Sequence, residues 1–176
     1  MRLHLHALAA VLLVTSATAF ADVVDRGPNG FTLEAVVEIS APPARVYRTL
    51  VDLGTWWDRE HTYTGDSKNL SIDARPGGCF CERLANGGGV EHGRVVNVSP
   101  GSLLRLSAAL GPLQELGVTG SLTFQIAGSA AGSTLTMTYA VGGYAPGGLG
   151  KLAEPVDAVM THQLQLLKQH MERLGR

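Results

Sequence analysis

The stretch 118–141 reads VTGSLTFQIAGSAAGSTLTMTYAV. Val118, Gly120, Leu122, Phe124 and Ile126 alternate with Thr119, Ser121, Thr123 and Gln125. After a turn over 128–132, Leu135, Met137, Tyr139 and Val141 alternate with Thr134, Thr136 and Thr138. A period of two with a hydroxyl-rich partner face marks antiparallel strands that bury one side and wet the other. Upstream, the segments 69–73, 78–84, 90–98 and 103–108 repeat the alternation between turns rich in Gly, Pro, Asn and Ser. Phe31, Leu33, Ala35, Val37 and Ile39 add one more half-buried strand. Downstream the period changes. Leu152, Val156, Val159, Met160, Leu164, Leu167, Met171 and Leu174 form the apolar stripe of a helix that the spacing predicts over about 154–174. Such a helix, some 30 Å long, can cross a small sheet from edge to edge. The expected fold is α+β, with a curved antiparallel sheet of six to seven strands around a long C-terminal helix.

Between the first strand and the rest lie two short helices, predicted over 43–52, behind Pro42-Pro43, and from Leu53 to Trp57. The apolar segment 109–117, broken by Gly111-Pro112, is not strand-like.

The N-terminus follows different rules. Arg2 precedes a run from Leu3 to Val14 that is apolar except for His4 and His6, and Ala19-Phe20-Ala21 stands before Asp22. A charged start, a short apolar run and small residues at −3 and −1 are read by export signal peptidases. The run is about a dozen residues, against about 20 for a bilayer span. The expectation is a leader over 1–21 cleaved near Ala21, a loose lead-in over 22–30, and one domain over 31–176, working in the periplasm or secreted. With 14 basic and 15 acidic residues the chain is near neutral. It lacks the basic stripe that nucleic-acid affinity requires, so no nucleic-acid partner is expected. No membrane span follows the leader.

The order of elements and several motifs resemble a known superfamily. Glu38-Ile39-Ser40-Ala41-Pro42-Pro43-Ala44-Arg45-Val46-Tyr47 is similar to the opening of START-like (Bet v 1-like) proteins of the SRPBCC superfamily. Asp52-Leu53-Gly54-Thr55-Trp56-Trp57, Pro76-Gly77-Gly78-Cys79-Phe80 and Gly93-Arg94-Val95 resemble later signatures of the branch that holds Hsp90-ATPase-activator homologues and polyketide cyclases. The resemblance implies a helix-grip fold whose cavity, between sheet and final helix, takes an apolar or amphipathic small molecule. It implies no particular reaction. Candidates for lining that cavity are Trp56, Phe80, Glu82, His92, Leu113, Phe124, Tyr139, Met160 and Gln163.

The residues able to carry chemistry are few. Phe80 and Glu82 share the inward face of their strand, and an inward carboxylate is costly without a partner. His92 or Arg94, both expected on one face of the next strand, can supply it. Such a pair can be structural, can orient a polar ligand group, or can serve as acid and base. Cys79 and Cys81, two residues apart on a flat strand, are expected to stay unbridged, because extended geometry separates their Cβ atoms too widely for a disulfide. No zinc-binding spacing appears, and a set drawn from His61, Asp66 and His92 would need three separate segments to converge. Neither a G-x-S-x-G elbow nor a phosphate loop is present, so no cofactor is expected. Three functions stand open: an exported binder of an apolar small molecule, a cyclase, dehydratase or hydrolase using Glu82 and His92, and an interaction module like the Hsp90-activator relatives.

Overall fold

The computed structural model describes residues 20–175. Residues 1–19, the bulk of the expected leader, lie outside them. Eight strands form one antiparallel sheet: β1 (Phe20–Gly27), β2 (Gly30–Ile39), β3 (Leu70–Ile72), β4 (Cys79–Arg83), β5 (Gly89–Ser99), β6 (Leu103–Ala108), β7 (Gly117–Ser129) and β8 (Gly132–Tyr144). Their order is β1-β2-β8-β7-β6-β5-β4-β3, so β3 to β8 run as a meander and β2 closes onto β8. Helix α1 (Pro43–Val51) follows β2, and α2 (Ala153–Leu174) ends the chain. No helix among the described residues is long and apolar enough to cross a membrane.

The β7–β8 hairpin behaves as its alternation predicts. Leu122, Phe124 and Ile126 face the core with Leu135, Met137, Tyr139 and Val141, all at most 5% exposed. The threonines line the other face, where Thr123 Oγ1 accepts a hydrogen bond from Arg105 Nε at 2.9 Å. In β2 the five alternating apolar residues are at most 2% exposed. Removing a fully buried leucine such as Leu164 or Leu167 to alanine from a core of this kind costs about 2–5 kcal/mol.

The eighth strand is β1, from the segment expected as a loose lead-in. Its charged residues (Asp22, Asp25, Arg26) hide any alternation, yet its backbone pairs with β2 from Phe20↔Val36 to Gly27↔Gly30. Pro28-Asn29 is therefore a hairpin loop. It is pinned from behind, because Leu149 N donates to Pro28 O at 2.9 Å and Gly143 N to Asn29 O at 3.0 Å.

Helix α2 holds Met160, Gln163, Leu164, Leu167 and Met171 against the sheet. It packs chiefly on β2 and β1, off-centre in the sheet's concave face. Arg45 of α1 donates to the terminal carbonyl of Leu174 at 2.9 Å, satisfying an acceptor that the helix end leaves free.

Two expectations fail on β4 and β5. Between Phe80 and Cys81 the register slips: Phe80 pairs with Gly93 but Cys81 with Glu91, leaving His92 as the extra residue of a bulge. Cys79 and Cys81 are bridged by a disulfide, with Cα atoms 5.4 Å apart. A flat strand would hold them about 6.6 Å apart, whereas the contracted β4 brings them near the usual disulfide spacing. The bulge also separates His92 from Arg94. His92 is buried and Arg94 exposed, where it pairs with Glu91 and donates to Gly77 O.

Candidate functional site

Three pieces of chain meet above the β4–β5 end of the sheet: the segment 57–66, the short turn Gly111–Glu115 and the first turns of α2. Asp58 ties the first piece to the helix. Its carboxylate accepts from Glu60 N at 3.0 Å, its Oδ2 lies 3.3 Å from His61 Nδ1 and 3.2 Å from His162 Nε2, and its own N–H donates to Gln163 Oε1 at 2.9 Å. The backbone hydrogen bond from Glu60 and the two histidines hold the Asp58 carboxyl below its ordinary pKa, against a smaller opposing effect of burial.

Glu82 ties the same segment to the sheet. Its Oε1 accepts from Thr64 N and Thr64 Oγ1, both at 2.7 Å, and its Oε2 from Tyr63 N at 3.0 Å. The fourth partner is His92 Nε2, at 3.1 Å from Oε2. Burial alone would raise the Glu82 carboxyl pKa; the bonds from Thr64, Tyr63 and His92 outweigh it and hold the group ionised. For His92, burial is also the largest influence and lowers the pKa, only partly offset by Glu82, so the imidazole is neutral. The ring stands between Phe80 and Tyr63, with centroids 4.8 and 5.8 Å away.

Because α2 lies toward β1 and β2, a cavity of about 650 Å³ remains between its N-terminal half and β3–β5. Its walls are mainly apolar, and its volume lies within the usual range of small-molecule sites. Of the residues expected to line it, Phe80, His92, Leu113 and Met160 do so. Trp56, Glu82, Phe124, Tyr139 and Gln163 do not. Trp56 turns back to donate from Nε1 to Thr49 O at the end of α1, at 2.8 Å, and Trp57 takes the cavity wall. Glu82 sits behind His92. Phe124 stays in the core under the sheet. Gln163 spends its carbonyl on Asp58 N. Tyr139 is a clip: its hydroxyl donates to Ala108 O at 3.1 Å and accepts from Leu110 N at 3.2 Å, fixing the start of the 111–115 turn. Burial pushes its pKa to about 12, so it stays a neutral donor.

Tyr63, Leu70, Val156 and Val159 also line the wall and were not among the lining residues expected from sequence. The helix stripe carried the two valines, but no period marks Tyr63, on an irregular segment. At the rim, Tyr63 Oη donates to Gln114 Oε1 at 3.4 Å, and Gln114 Nε2 donates to Glu91 O at 2.9 Å. Among the described residues no group of three His, Cys, Asp or Glu is placed to hold a metal ion. A shallower groove of about 710 Å³ crosses the sheet's outer side near Thr32, Thr119 and Ser121, lined by small residues and backbone.

An antiparallel sheet gripping a long terminal helix, with a mainly apolar cavity between them, defines the helix-grip class of SRPBCC type. The chain belongs to the family described as polyketide cyclase / dehydrase and lipid transport, whose model matches residues 30–172. No curated protein matches. Solved structures share the fold. A protein of Rhizobium leguminosarum is 19% identical with a TM-score of 0.59, over 89% of this chain and 99% of its own. Protein CV1439 of Chromobacterium violaceum is 23% identical with a TM-score of 0.57, over 80% and 96%. CalU16 of Micromonospora echinospora is 13% identical with a TM-score of 0.57, over 86% and 83%.

Proposed function

We propose that the protein is an exported carrier or receptor that holds an apolar or amphipathic small molecule in the cavity between α2 and β3–β5. The observation that carries this reading is the cavity itself: about 650 Å³ of mainly apolar space that the protein's own side chains leave unfilled. An interaction module would have no need of it. The cyclase, dehydratase or hydrolase alternative asks for Glu82 and His92 together at the substrate, but Glu82 is turned toward backbone donors and only His92 of the pair reaches the cavity wall. The charged, apolar and small-residue order of the first 21 residues supports export. So does the Cys79–Cys81 disulfide, since such bonds persist in oxidising compartments.

Native mass spectrometry of protein recovered from the periplasmic or secreted fraction tests both halves. The expected species starts at Asp22 and carries an apolar adduct, or takes up a fluorescent apolar probe with saturation. Full-length protein confined to the cytosol would sink the export half. Absence of both adduct and saturable probe binding would sink the carrier half.

A further inference from the structure

We propose that the ligand of this cavity carries a hydroxyl hydrogen-bond donor, and that His92 Nδ1 accepts it. The inference rests on the small-molecule reading above and adds the chemistry of the group recognised. It begins with Glu82. That carboxylate already receives three protein donors, from Tyr63 N, Thr64 N and Thr64 Oγ1, and as an anion it can only accept. The atom of His92 that faces it, Nε2, must therefore carry the proton. In the neutral ring the remaining nitrogen, Nδ1, is a bare acceptor.

The bond to Glu82 is the ring's hydrogen bond among the described residues, which leaves Nδ1 without a protein donor. The side chain is 6% exposed, and it lines the cavity. Rings of Phe80 and Tyr63 flank it, so an acceptor is set into an apolar wall. A ligand that fills the cavity strips water from this acceptor, and one that supplies a donor of its own recovers that cost. The rest of the lining decides which donor. An ammonium brought to His92 would leave the exposed Glu60 and Glu115 behind at the rim and enter apolar space where Glu82 is screened by the imidazole. A carboxylate would oppose the Nδ1 lone pair and pass the exposed Glu60 and Glu115 at the rim. An uncharged hydroxyl, phenolic or enolic, meets neither penalty.

The test compares 1-naphthol with 1-methoxynaphthalene, which differ in whether the oxygen carries a donor proton. Wild-type protein is expected to bind the naphthol roughly tenfold more tightly, the value of one well-placed hydrogen bond, and His92→Phe to bind both alike. Because that variant could lose the fold, ¹⁵N NMR of wild-type His92 gives a second readout. Nε2 is expected to be the protonated nitrogen, and Nδ1 to shift with the naphthol but not with its ether. Saturable but equal binding of both probes, or a proton on Nδ1, overturns the hydroxyl inference and leaves the carrier reading standing. If neither probe binds with saturation, the carrier reading falls and the inference falls with it.

Discussion

Glu82 and Asp157 both hold carboxylate oxygens away from water, but their pKa values move in opposite directions because only one has donors. Glu82 meets four, and its pKa goes down. Asp157, on α2, has a buried Oδ1 with no partner; burial first, then the charges of Glu154 and Asp22, push its pKa up. A raised folded-state pKa gives stability that is fully present below the ordinary carboxyl value and is lost as pH rises through the shifted one. Asp157→Asn removes that penalty. The variant should melt above wild type at pH 7, with the gap closing as pH falls toward about 4, the ordinary carboxyl range. Thermal unfolding at the two pH values checks this, and a lower melting point at pH 7 would refute it. Sequence alternation alone placed Glu82 inward beside Phe80 and offered His92 or Arg94 as its partner, of which the structure takes His92. It could not supply Thr64 or Tyr63, because they reach Glu82 from an irregular segment 18 and 19 residues away that follows no period.

Among the elements, the β4–β5 pair is where reading by period breaks down. Strict alternation put His92 and Arg94 on one face, which a one-residue bulge in β5 reverses. Flat extended geometry held Cys79 and Cys81 apart, which a Cα spacing of 5.4 Å overturns. Nothing in hydrophobic order announces a bulge, though Gly93 gives a hint after the fact. A Cβ there would lie 2.7 Å from Ala108 Cβ and 2.8 Å from Ser107 O, so only glycine lets β6 come this close. Gly93→Ala should cost about 1–3 kcal/mol, as overpacking does, and should loosen the His92–Glu82 contact beside it. Chemical denaturation gives the first number. Retention of wild-type stability would mean that β5 and β6 part at no cost. Long alternating elements such as β2, β7, β8 and the stripe of α2 were legible because burial on one face dictates their period. The edge strand β1 was not, since charged side chains on an edge interrupt it.

At the scale of the whole molecule, the cavity follows from where α2 lies. Packed chiefly on β2 and β1, the helix leaves space over β3–β5, and that space is the site. Filling it should therefore abolish binding without harming the fold. Val159→Trp, projecting from α2 into that space, is expected to keep a melting point within a few degrees of wild type and to lower probe affinity at least tenfold. Undiminished binding by a folded Val159→Trp protein would place the ligand elsewhere. The sheet order has a further result, in time rather than in space. Phe31 pairs with Val141, and the β1–β2 hairpin reaches the sheet only through β8. The first strands to be made must wait for nearly the last, and pairing across so long a separation is slow. A ribosome would thus hold a chain whose first two strands have no finished sheet to join. Late closure is built into the order of the strands.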